Sequence, residues 1–173
     1  KTLSGVLQYA WVTNAASHKF HNWYGFGKVN AAAAVDAAKS YTANSLGTWV
    51  YATALNSTVT TIADYDTTQA TVSLSAPSGS SDIVETVEIA IKLTHAIPNS
   101  IGLRLMSPSG TISNILQPYT KITTNPSNFT FYIQSNAFYG ESMAGTWTLA
   151  MDEYISDGTS GTMTSWKITA FGR

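Results

Sequence analysis

Thr86-Val87-Glu88-Ile89-Ala90-Ile91-Lys92-Leu93-Thr94 is the stretch on which the fold turns. Val87, Ile89, Ile91 and Leu93 fall on every second position, with Glu88, Ala90 and Lys92 between them. Successive side chains of a strand point to opposite faces, so this is a half-buried strand and not a turn of amphipathic helix. The same period recurs on both sides. Ile101, Leu103 and Leu105 alternate, then Phe129, Phe131 and Ile133, then Trp147, Leu149 and Met151, then Trp166, Ile168 and Ala170. Upstream, Trp49-Val50-Tyr51 and Val72-Ser73-Leu74 supply two more strands. Pro77-Ser78-Gly79, Pro108-Ser109-Gly110, Asn125-Pro126 and Asp157-Gly158 separate the runs as turns. Roughly eight short strands with almost no helix predict an all-β protein, an antiparallel β-sandwich of jelly-roll type.

The pattern changes near residue 45. Asn30 is a good N-cap for the alanine-rich run Ala31–Ala38, so a short helix is expected over about residues 30–39, with Val35 as its one large apolar contact. Leu7 to Val12 reads as a strand, and Gly25-Phe26-Gly27 as a turn. These elements cannot bury a core by themselves. The expected division is a leading segment over 1–45 and a β-sandwich domain over 46–173.

Composition narrows the function classes. Apolar residues at 44% are ordinary for a folded domain, which argues against disorder. Charged residues at 11% fall well below the usual ~25%, which suits an extracellular β module whose surface is Ser, Thr, Asn and Tyr. A net charge of −1 without a basic cluster gives nothing to neutralise phosphates, so no nucleic-acid partner is expected. No apolar run is long enough to span a bilayer as a helix, so no membrane partner is expected either. With no cysteine, neither disulfides nor thiolate metal sites are available, which fits a bacterial secreted protein better than a eukaryotic extracellular domain and is also compatible with the cytosol. Lys1-Thr2-Leu3 opens no signal-peptide pattern, so an exported protein would be represented by a mature or excised part.

Two groups of motifs then resemble one protein family. His18-Lys19-Phe20-His21-Asn22-Trp23-Tyr24-Gly25-Phe26-Gly27, followed by Lys28-Val29-Asn30-Ala31, resembles the end of the catalytic domain of kexin-like subtilases, where a similar Tyr/Phe-Gly-Phe-Gly stretch leads into the last helix. Further on come Ser107-Pro108-Ser109-Gly110-Thr111, Phe138-Tyr139-Gly140-Glu141, Gly145-Thr146-Trp147-Thr148-Leu149, and Gly161-Thr162 with Ser165-Trp166. In order and spacing these resemble the P domain of subtilisin/kexin-like serine proteases, which usually reads S-P-x-G-T, W-G-E, G-x-W-x-L and G-x-L-x-x-W. Tyr139 replaces the usual Trp, and Asn99-Ser100-Ile101-Gly102-Leu103 stands where the family has Arg-Gly-Asp-Leu.

The resemblance implies a non-catalytic P domain that packs against and stabilises a subtilisin-like catalytic domain in the same polypeptide. The Gly-Thr-Ser-Met nucleophile context is absent, so the chain itself is expected to have no catalytic triad. A binding module that docks the protease to a polymeric substrate, protein or carbohydrate, is the other reading, suggested by the many aromatic residues. Of these, Trp147 and Trp166 are in phase with core positions, while Tyr119, Tyr132, Tyr139 and Tyr154 are candidates for exposure. His18 and His21 are expected to make packing or interdomain contacts, and Glu141 to tie loops together by accepting backbone N–H bonds. Calcium is the expected cofactor. Asp64 with Asp66, and Asp152 with Asp157, are candidate ligands at two loops, because Ca²⁺ prefers hard carboxylate oxygens.

Overall fold

The computed structural model describes residues 10–78, 81–122 and 129–173. Leu7 to Tyr9 of the expected first strand, Gly79 and the Asn125-Pro126 turn lie outside the described residues. The elements are β1 (Val12–Thr13), β2 (Lys19–Phe20), α1 (Ala31–Lys39), β3 (Val50–Asn56), β4 (Thr60–Ile62), β5 (Thr67–Leu74), β6 (Val84–Thr94), β7 (Ile101–Met106), β8 (Ile112–Leu116), β9 (Phe129–Ser135), β10 (Gly145–Glu153) and β11 (Gly161–Gly172), with a 3-10 turn (Pro98–Ser100) before β7.

All pairings are antiparallel, as expected. One layer is a four-stranded sheet in the order β5-β10-β7-β8. The other runs β3-β11-β6-β9, with β4 also pairing β11. A two-stranded β1-β2 hairpin stands apart from both.

The core between the layers is the alternating set. Val87, Ile89, Ile91 and Leu93 of β6 face Leu103, Leu105, Trp147, Leu149 and Met151 from the opposite sheet, and all are essentially sealed from solvent. Trp147 and Trp166 are both fully buried, so neither is a surface platform. The Trp147 indole donates to the Met143 carbonyl at 3.0 Å and meets Phe138 edge-on at 5.0 Å. Two register shifts on the β6–β11 ladder break the strict period there. One lies between Met163 and Ser165, the other between Phe171 and Gly172 opposite Val84. A β-bulge adds one residue to one strand, which reverses the phase of everything beyond it. That is why Val84 and Met163 are buried although they fall off the simple alternation of β6 and β11.

Helix α1 starts as expected, with Asn30 Oδ1 accepting from the Ala33 N–H at 3.0 Å. None of its residues is buried, and Val35 is 57% exposed, so the apolar contact expected of Val35 is not made within this chain. Tyr119, Tyr132 and Tyr139 are exposed, but Tyr154 is buried, contrary to expectation. Its ring lies 3.0 Å from where a Cβ on Gly102 would sit, beneath the end of β10. No helix among the described residues is long and apolar enough to cross a membrane.

Candidate functional site: a clasp for the leading segment

The motif loops converge on the β1-β2 hairpin. Asn14 sits at its turn, 3% exposed, and uses both ends of its carboxamide. Its Nδ2 donates to the carbonyls of Ala137 (3.0 Å) and Tyr139 (2.8 Å) across more than a hundred residues of chain. Its Oδ1 accepts from the N–H groups of Ala16 (3.1 Å) and His18 (2.9 Å), which shapes the turn. An amide offers two donors and two acceptor lone pairs, so Asn14 is fully satisfied and geometrically fixed.

Glu141, 3% exposed, completes the grip. Its Oε1 accepts the Ala15 N–H at 3.0 Å and the Thr111 hydroxyl. Ala15 N–H also reaches the Thr111 hydroxyl oxygen at 3.2 Å. Thr111 is held by Ser107: the Ser107 N–H donates to the Thr111 carbonyl, and the Thr111 N–H donates to the Ser107 hydroxyl. The Ser107–Thr111 turn and the Phe138–Glu141 turn are thus two jaws on one short segment.

Two glycines let the jaws close. Gly140 has φ +86, and a Cβ there would lie 2.9 Å from the Ala16 Cβ and 3.0 Å from His18 Nε2. Gly145, with φ +124, would press a Cβ to within 2.6 Å of the Pro108 Cβ. Any L side chain is strained at such φ, and contacts this short leave no room for it. Tyr139 stays half exposed and forms an aromatic triangle with His18 (5.1 Å) and Phe26 (6.0 Å). His21 is buried between Trp11 and Tyr24, and its Nδ1 accepts the Trp23 N–H at 3.0 Å.

Of the motif residues, the structure brings Ser107, Pro108, Gly110, Thr111, Tyr139, Gly140, Glu141 and Gly145 together around the clasp. Trp147 stands behind it, tied to the same loop through Met143. Trp166 lies away in the core. Gly110, with φ +87, closes the Ser107–Thr111 turn. Asn14 is the residue that sequence reasoning missed. Its only local signal is an Asn heading the turn Ala15-Ala16-Ser17, and its two long-range partners are backbone carbonyls, which carry no sequence signature.

The four aspartates are arranged differently from the two separate loops expected. The 63–68 and 152–157 segments pack on each other as one loop pair. Tyr65 N–H donates to Glu153 Oε2 at 2.8 Å, and Asp157 N–H reaches Asp64 Oδ1 at 3.3 Å. Asp66 caps the next turn residue, accepting from the Thr67 N–H. Asp157 accepts from Thr159, whose hydrogen bonds hold its carboxyl below the usual range. Asp152 lies inside β10, fully buried, with one oxygen on Arg104 Nε (2.6 Å) and the other on Arg104 Nη2 (2.8 Å) and the Thr67 hydroxyl (2.6 Å). That fork-to-fork pairing raises the guanidinium pKa further. Asp152 is thus engaged by Arg104 and Thr67 inside the strand rather than displayed on a loop. Among the described residues no group of three or more His, Cys, Asp or Glu side chains converges as a metal site.

Fold and clasp together define an antiparallel β-sandwich domain whose loops are built to hold the chain segment that precedes it. The profile of the proprotein convertase P-domain matches residues 84–170. The chain belongs to that family, the P domain of subtilisin/kexin-like proteases. It is similar to kexin of Saccharomyces cerevisiae, 25% identical over 167 residues, which cover 94% of this chain and 20% of kexin. It is also similar to proprotein convertase subtilisin/kexin type 6 of Rattus norvegicus, 28% identical over 170 residues, with 94% of this chain and 18% of the relative covered. The solved serine protease of Aeromonas sobria shares the fold, with a TM-score of 0.81 and 24% identity over 95% of this chain and 33% of the protease chain. The chain spans about a fifth of the length of the curated relatives it matches.

Proposed function

We propose that this chain is a non-catalytic C-terminal P domain of a secreted subtilisin-like serine endopeptidase, and that it packs against the catalytic domain of the same polypeptide and stabilises it. The observation that carries this reading is the surface of the leading segment. Trp11, Trp23, Tyr24, Val29, Val35 and Tyr41 are all about half exposed or more, and α1 has no buried residue. Large apolar side chains left exposed in such number on one short segment point to an interface. The clasp fixes one side of that segment to the sandwich and leaves the other side for a partner.

The test is thermal unfolding of the parent protease with and without residues 46–173. The expected outcome is a lower melting temperature and faster inactivation of the shortened protein. Equal stability of the two forms would remove the stabilising role. The isolated chain is expected to hydrolyse no peptide substrate, checked with a fluorophosphonate probe, which should label no serine. Secretion is checked by recovery of the protein from the culture medium.

For calcium, the loop pair bearing Asp64, Asp66 and Asp157 is the proposed site, with Asp152 beside it paired to Arg104. A cation bound only by the folded state stabilises it by RT ln(1 + [L]/Kd), about 2.7 kcal/mol at a hundredfold excess over Kd. A melting temperature raised by Ca²⁺ and insensitive in Asp64→Ala would establish the site. A transition that EDTA leaves unmoved would remove it.

A further inference from the structure

Beside the clasp lies a cleft of about 350 Å³ that the docking surface does not use: Trp11, Trp23 and Tyr24 do not line it. One wall is the turn of the leading segment, with Asn22 and Phe26. The other is the place where β8 and β9, the outermost strands of the two sheets, approach each other. Ser113 of β8 and Ser135 of β9 share a hydroxyl–hydroxyl hydrogen bond of 2.8 Å, which ties the two sheets together at the cleft. The walls are therefore held by a hairpin and two sheets, so the site is pre-formed.

Its chemistry is specific in what it lacks. Among the described residues no Asp, Glu, Lys or Arg lines it. His21 does, but its Nδ1 already accepts the Trp23 N–H. A phosphate, a carboxylate or a metal ion drawn out of water needs compensating charge, and the described lining offers no Asp, Glu, Lys or Arg to supply it. The lining is instead rich in carboxamides, among them Asn22, Gln134 and Asn136. A carboxamide presents donor and acceptor side by side, and so does a pair of neighbouring hydroxyls. Phe26, 47% exposed, adds an apolar face for the C–H side of a ring. The volume is at the lower end of the ~300–1,000 Å³ of ligand pockets, which suits a short ligand.

A peptide strand adding to the edge of β9 is the rival occupant. Just beyond Ser135 the carbonyls of Ala137 and Tyr139 are already taken by Asn14, so the edge is blocked where such a strand would continue. We infer that this cleft binds a neutral saccharide, held by the carboxamides of Asn22, Gln134 and Asn136 against the ring of Phe26. This inference is independent of the docking function: Trp11, Trp23 and Tyr24 are not among the lining residues of the cleft, and a ligand there needs no catalytic domain.

The test is a titration of the ¹⁵N-labelled 173-residue chain with glucose, galactose, mannose, maltose and cellobiose, followed by NMR. At least one sugar is expected to shift the side-chain amides of Asn22, Gln134 and Asn136 saturably. Asn136→Ala and Phe26→Ala are expected to weaken that binding at least about tenfold, and Tyr132→Ala, an exposed ring elsewhere on β9, to leave it unchanged. Gln134→Ala, at an exposed position, serves in place of any variant whose spectrum shows misfolding. The absence of saturable shifts with every sugar overturns the inference. So do shifts confined to exposed rings outside the cleft, or saturation by a neutral capped peptide and by no sugar.

Discussion

From Val50 onward the chain buries aliphatic and aromatic side chains in a continuous core between two sheets. Among described residues 10–49 only Asn14, Phe20 and His21 are buried, and two of the three are polar. The sandwich is held by apolar area removed from water, a force without direction that tolerates small shifts. The leading segment is held by a few hydrogen bonds whose partners must sit within tenths of an ångström. The first kind of burial builds one continuous core. The second makes a joint, fixed in position and orientation, whose own apolar surface is still uncovered.

This contrast can be tested at four depths. Trp147→Ala should cost the most, about 3–5 kcal/mol, because it removes a fully buried indole and leaves a cavity between the sheets. Urea unfolding should show a much lower midpoint for the whole cooperative transition. A midpoint close to wild type would mean that the core is not what holds residues 50–173 together.

Arg104→Ala should approach that cost, because removing one partner of a buried ion pair leaves Asp152 charged and uncompensated, a loss of about 3–5 kcal/mol at full burial. Arg104 is partly exposed, with 23% of its side chain accessible, so the lower end is expected. The same cluster predicts an alkaline limb. Burial, and then the negative charge of Asp152, push the Tyr154 hydroxyl up to about 12. A phenol whose folded pKa is raised stabilises fully below its unfolded value of about 10, and that contribution is lost as pH rises towards 12. Absorbance titration should find a tyrosine ionising near pH 12, and Tyr154→Phe should remove that step.

Glu141→Ala and Asn14→Ala should be milder for the domain and decisive for the joint. Each strands buried polar groups, at about 1–3 kcal/mol. The expected signature is local: faster hydrogen exchange at Ala15, Ala16 and His18, with the core strands β6 and β10 still protected. If the core amides lose protection equally, the clasp and the sandwich are one cooperative unit and the contrast fails. Val35→Asp, on the exposed helix, should change the stability of this chain by no more than about 0.5 kcal/mol. In the parent protease the same change should destabilise, provided α1 meets the catalytic domain.

Much of the sandwich was legible because period two is a local property: Val87 to Leu93 and Trp147 to Met151 declare their buried face without knowing their neighbours. Asn30 declared the helix start in the same way, through a bond three residues away. The motif order from Ser107 to Trp166 carried the family. Residues without a local period were not legible. Val84 and Met163 are buried because bulges opposite Gly172 and beside Ser165 reverse the phase, and a bulge is set by the strand across the ladder. Asp152 read as a loop-end carboxylate and is an ion-pair partner, because Arg104 is 48 residues away and reaches it only across β7 and β10. Asn14 looked like a turn residue, yet it holds the two parts together through carbonyls more than 120 residues distant. The sequence alone thus determined where the strands lie, which faces are apolar and which family the chain resembles, since all three follow from residue types at fixed spacing. Only the tertiary structure decided which polar groups meet, because a hydrogen bond or ion pair depends on the distance and direction between atoms that the chain brings together last.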